Sequence, residues 1–226
     1  MPSLELPPWV PPAVVRQARI LHAQAVDGRD IMGIANVNPH EAMTLIERLA
    51  TDPRMRTVWG SGVLRRRRQN HRPTDAAFNP AMLPPYVRDP GNPVARQALA
   101  AGVLFHFAVF FRLAGVRAIP VKVRSHNPHF DPADLLVVGR SRGNLDVRGY
   151  VICLAEQCRE LFFDSDSRDT QRGVAMYRTV ATIASVALDR SIKPHAVEKQ
   201  YLQQRARANR YGGHPKAVQK RVRQHP

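Results

Sequence analysis

Residues 173–204, GVAMYRTVATIASVALDRSIKPHAVEKQYLQQ, decide the reading of this chain. They form an apolar helix, a short polar break, and a second helix that runs into an all-basic tail. Val174, Tyr177, Ala181, Ala184 and Leu188 recur at helical spacing, with a second stripe through Met176, Val180, Ile183 and Ala187. Only Arg178, Thr179, Thr182 and Ser185 are left to face water, so the first helix is expected to be buried on most of its circumference. Its β-branched residues also suit a strand, but no period of two is sustained, and helix is the reading taken.

Residues Asp189 to Lys193 interrupt the apolar pattern. Pro194 suits the first turn of a new helix, where its missing N–H is not needed. Ile192, Val197 and Tyr201 can pack back onto the first helix, while His195, Lys199, Gln203 and Arg207 recur every four residues on a neighbouring, solvated face. A short turn between two helices, the second held on one side and offering donors on the other, is the arrangement of a helix-turn-helix reader. The break has no glycine, and Glu198 sits among the candidate readers. An ordinary pair of packed helices with a solvated outer face accounts for the same pattern.

The chain of 226 residues, 44% hydrophobic and 23% charged, has the composition of a globular protein with room for one sizeable core or two small lobes. Its net charge of +16 is unusual. After Glu198 there is no acid, while Lys199, Arg205, Arg207, Arg210, Lys216, Lys220, Arg221 and Arg223 follow. Such a tail attracts polyanions, or serves solubility alone. A membrane partner is not expected, because no large apolar face lies beside the charges. The longest stretch without formal charge, Gln97 to Phe111, is too short to span a bilayer, and MPSLELPPWVPP has no apolar signal core. The expectation is a soluble, cytoplasmic protein. Cys153 and Cys158 lack disulfide or metal-ligand spacing and read as packed, reduced thiols.

Upstream, Val14, Ala18, Leu21 and Ala25 mark a first amphipathic helix ending near Asp27. Asn38-Pro39-His40-Glu41 is a cap, a first-turn proline and a third-position acid, predicting a helix through Met43, Leu45, Ile46 and Leu49. Asp52-Pro53 repeats the signal before Met55, Val58 and Trp59. The cluster Arg65, Arg66, Arg67 and Arg68, with His71 and Arg72, follows; adjacent arginines point all round a helix and suit a phosphate backbone without reading sequence. Residues 73–93 hold six prolines in 21 residues and read as a linker or draped loop. Val94 to Ala114 is the most apolar helix; its His106 reads as a hydrogen-bonded core or boundary residue. VRAIPVKVR suggests a short strand or extended segment, Asp131-Pro132 another helix start, and Arg148 to Phe163 a further helix with Tyr150, Leu154 and Leu161 at apolar positions.

The predicted fold class is therefore mainly α: an irregular multi-helix bundle with a Pro-rich connecting loop and a basic C-terminal tail. Its regions are 1–72, the linker 73–93, a helical core 94–204 containing the pair 173–204, and a flexible tail 205–226. No catalytic constellation emerges, and no cofactor is expected. His126 and His129 beside Asp131 and Asp134 could hold a divalent metal, but both carboxylates have a capping explanation. The loop DSDSRD, 164–169, lacks the glycine and the final glutamate of a calcium loop.

Two passages, LPPWVPPAVVRQAR with LATDPRMRTVW and RGYVICLAEQCRELF with TVATIASVALDR, resemble a group of short proteobacterial proteins, some of them prophage-borne. The similarity covers residues 6–60 and 148–192, more loosely Ala95 to Ala114. It implies a cytoplasmic bacterial protein and no particular chemistry. The arginine run, the DSDSRD loop and the basic tail depart from that group.

The candidate nucleic-acid contacts are His195, Lys199, Gln203, Arg205, Arg207, Arg210, Lys216, Lys220, Arg221 and Arg223, with Arg65 to Arg68. The first expectation is a non-enzymatic DNA-binding protein. The alternatives are a helical adaptor that binds another protein and, further off, a metal-dependent nuclease using His126 and His129.

Overall fold

The computed structural model describes residues 4–27, 38–60, 93–113, 145–162 and 170–212. Among them are seven α-helices, one 3₁₀ turn and no strand, which bears out the mainly α fold class. Helix α1 spans Pro12–Val26, α2 Pro39–Thr51, the 3₁₀ turn Pro53–Met55, α3 Arg56–Trp59, α4 Pro93–Leu113, α5 Leu145–Phe162, α6 Thr170–Leu188 and α7 Pro194–Gly212. The arginine cluster 65–68, most of the Pro-rich stretch, VRAIPVKVR, the His126–Asp134 group, the DSDSRD loop and residues 213–226 lie outside the described residues.

Local signals set the helix starts. The Asn38 carboxamide oxygen accepts the N–H groups of His40 and Glu41, satisfying donors that α2 would otherwise leave open. Asp52 does the same for Arg54 and closes its carboxylate on the Arg54 guanidinium. The apolar stripes then bury as read: Val14, Ala18, Leu21 and Ala25 on α1, and Leu45, Ile46 and Leu49 on α2. The segment after Asp52 is one 3₁₀ turn and a single α-turn rather than a continuous helix, and it delivers Met55, Val58 and Trp59 to the interior.

One core joins all of this. Helices α1 and α2 pack on each other and on α4, so the two sides of the Pro-rich stretch share a single hydrophobic cluster. Helix α6 is central: it meets α2, α3, α4, α5, α7 and the 3₁₀ turn. Side chains weave the elements together at defined points. The Trp59 indole stacks on Phe105 of α4, centroids 4.8 Å apart, and donates to the Leu49 carbonyl at 2.9 Å. Tyr150 of α5 donates to the Ala108 carbonyl of α4 at 2.7 Å.

The surrounded position of α6 corrects one expectation. Arg178 is exposed and Thr182 half-exposed, but Thr179 and Ser185 are buried. With neighbours on most sides, the helix keeps only a narrow wet strip at Arg178 and Thr182 among its described side chains, and its small hydroxyls bond backward to the helix itself: Ser185 donates to the Ala181 carbonyl at 2.6 Å. Cys153 and Cys158 are free, buried thiols. Burial pushes the Cys158 thiol up to about 12 and raises that of Cys153 as well, so both remain protonated, packing groups.

His106 is stacked on Phe110 and set edge-on to Phe107, with centroids 5.6 and 5.4 Å away. Burial lowers its imidazole from 6.5 to about 4. The folded pKa lies below the unfolded one, so its stabilising effect is complete above pH 6.5 and is lost as pH falls towards 4. That loss is expected to amount to about 3 kcal/mol by pH 4, absent in His106→Phe. Urea midpoints followed from neutral to mildly acid pH check it: parallel curves for the two proteins would refute the assignment.

Candidate nucleic-acid interface

The pair read from the sequence is present as α6, a five-residue break and α7. Ser185 organises the break: while its hydroxyl proton goes to Ala181, its oxygen accepts the Ile192 N–H at 3.0 Å. The end of α6 closes by two reversed bonds, Arg190 N–H to the Ser185 carbonyl at 3.1 Å and Asp189 N–H to the Val186 carbonyl at 3.4 Å. This is a Schellman closure, and it requires a left-handed residue at Asp189, whose φ is 51°. Aspartate takes the place usually held by glycine, which is why the break carries no glycine signal. Helix α7 then starts on the Lys193 carbonyl, which accepts from Ala196 at 2.9 Å and Val197 at 3.3 Å.

Helix α7 is anchored along one side. Val197, Tyr201 and Gln204 are buried against α5 and α6, and Ile192 of the break packs at the margin of the same core. Tyr201 lies 6.3 Å from the Tyr177 ring, and its hydroxyl donates to the Glu156 carboxylate of α5. Glu156 also accepts from Arg159, one turn on along α5. A buried carboxylate held between a phenol and a guanidinium thus locks α7 onto α5 at a fixed rotation. This set was missed in the sequence, where Tyr201 reads as an apolar anchor and Glu156 is not singled out. The only signal was Glu156 and Arg159 at ion-pair spacing within an otherwise buried helix.

On the opposite side His195, Lys199 and Gln203 are all exposed, as expected. Glu198 and Leu202 are exposed on the adjoining flank; Leu202, at 48%, is the large apolar side chain among the described residues that faces water. The helix continues past Gln204 to Gly212 and therefore carries positions 205, 207 and 210 in its backbone register. That register divides the three. With a 3.6-residue repeat, position 210 falls within about 20° of Lys199, position 207 about 80° to one side, and position 205 about 120° to the other. His195, Lys199, Gln203 and position 210 share a stripe, whereas position 205 lies beside Glu198 on the flank. Lys216, Lys220, Arg221 and Arg223, with Arg65, Arg66, Arg67 and Arg68, lie outside the described residues.

Among the described residues there is no group of three or more His, Cys, Asp or Glu side chains placed to hold a metal ion, and no helix long and apolar enough to cross a membrane. No family model, curated protein or solved structure matches the chain.

Proposed function

We propose that the protein binds double-stranded DNA without acting on it chemically, with α7 as the contact helix and the basic segment after it on the phosphates. The observation that carries this reading is the division of α7. Val197, Tyr201 and Gln204 hold one side, leaving His195, Lys199 and Gln203 in water on the other, in a chain of net charge +16. Such a helix fits the B-form major groove, about 12 Å wide, whose base edges accept and donate hydrogen bonds. The deep, narrow major groove of A-form RNA does not admit it. The exposed stripe offers no aromatic platform on which single-stranded bases would stack. At 19 residues, α7 is about 28 Å long, enough to lie in the groove and reach flanking phosphates.

The test is a salt titration of the full chain and of a variant ending at Gly212, against a labelled random-sequence duplex. Cutting earlier, at Glu198, would remove Tyr201 and with it the bond to Glu156, confounding charge with folding. The Gly212 variant keeps every described helix. It loses Lys216, Lys220, Arg221 and Arg223, so the log–log salt slope is expected to become shallower by about 3–4. Full-chain affinity that ignores salt, or an unchanged slope after truncation, would turn the reading towards a protein partner.

A further inference from the structure

Arg48 of α2 and Arg54 of the 3₁₀ turn stand far from α7 in the sequence, yet the fold sets them against the break between α6 and α7. The Arg48 Nη1 lies 3.9 Å from the Asp189 carboxylate, and the same aspartate lies within electrostatic reach of Arg54. Arg190 and Lys193 are exposed on the same five-residue break. The break and the two segments packed near it thus carry four cations and two carboxylates, an excess of positive charge immediately before α7.

The two carboxylates are not equally engaged. Asp52 is gripped by the Arg54 Nε and Nη2 at 2.6 to 3.2 Å, and that fork holds its carboxyl below the usual range. The grip uses one edge of the guanidinium and leaves the Nη1 donors of a half-exposed side chain for another oxyanion. Asp189, 78% exposed, touches Arg48 only at a distance too long for a hydrogen bond. Arg48 thus sits beside a carboxylate without being saturated by it.

We infer that this surface, Arg48, Arg54, Arg190 and Lys193 around the break before α7, is a second phosphate-contact site, gripping the backbone of the duplex that α7 enters. The inference rests on the DNA-binding reading and extends it to residues of α2 and the 3₁₀ turn. Phosphate contacts of this kind position a protein without reading sequence, and guanidinium forks suit them. Asp189 opposes the contact. It occupies the left-handed position that closes α6, and it places a negative charge where a phosphate would lie.

The test uses the full chain, a labelled random-sequence duplex and three variants. Asp189→Asn keeps a residue that tolerates the left-handed conformation and removes the opposing charge, so it is expected to bind several-fold tighter. Arg48→Gln with Arg54→Gln is expected to bind about tenfold weaker and to make the salt slope shallower by about 1.8, two contacts' worth. Lys199→Gln reports on α7 alone, and circular dichroism confirms that each variant folds. If Lys199→Gln weakens binding while the other two leave affinity and slope unchanged, the contact is confined to α7 and the second site is refuted. If the unaltered chain shows no salt-dependent duplex binding, the DNA reading fails and takes this site with it. Equal binding of duplex RNA or anionic vesicles, lost in the same arginine variants, would overturn the duplex assignment.

Discussion

Replacing Trp59 by alanine is expected to lower stability by about 3–5 kcal/mol, a large share of what holds a domain of this size together. The residue is 1% exposed and joins three elements. It belongs to α3, stacks on Phe105 of α4, and donates to the Leu49 carbonyl near the end of α2. That carbonyl is among the last four of α2, which have no partner within the helix. Alanine therefore removes a ring from a close-packed site and also leaves a buried acceptor without its donor. Trp59→Phe separates the two effects. It keeps a ring against Phe105 and abandons the hydrogen bond, so its cost should be about 1–3 kcal/mol. Chemical denaturation of the three proteins checks the order. An alanine variant losing less than the phenylalanine variant would show that the site collapses and that Trp59 is no keystone.

Glu156→Ala should be comparably damaging, at about 3–5 kcal/mol, for an electrostatic reason. Glu156 is 7% exposed and receives both the Tyr201 phenol and the Arg159 guanidinium. Without the carboxylate, a largely buried guanidinium loses the close ion pair it makes with Glu156, and the Tyr201 phenol loses its acceptor. Tyr201→Phe removes one of the donors to this buried carboxylate and should cost less, about 1.5–3 kcal/mol. Both variants are expected to free α7 ahead of the rest, seen as faster amide exchange in 194–212 than in α6, and the proposed function adds that duplex binding weakens with it. Changing the set together, Glu156→Leu with Arg159→Leu and Tyr201→Phe, should return most of the stability, since no charge then remains to be stranded. If the triple variant is no more stable than Glu156→Ala, packing and not charge governs this corner.

Much of the architecture was legible because helices declare themselves locally. Asn38 reaches donors two and three residues ahead, so a four-residue pattern suffices to start α2. The stripes of α1 and α2 repeat every turn and end inside. In the same way Val197 and Tyr201 announced the held side of α7, and His195, Lys199 and Gln203 its wet side.

What the chain could not announce is whatever depends on a neighbour distant in sequence. Thr179 and Ser185 carry hydroxyls and look wet, yet the helices gathered around α6 bury them. Asp189 carries no glycine's signature, and only the reversed bonds closing α6 reveal its left-handed backbone. Tyr201 finds Glu156 across 45 residues, and Arg48 meets Asp189 only because α2 packs beside α6. Composition and periodicity determined that this protein is helical, basic, and carries a half-wetted helix at Pro194–Gly212. Tertiary packing alone decided which polar groups hold that helix and which cations stand beside it, because the energy of a buried or paired charge belongs to its surroundings and not to its place in the chain.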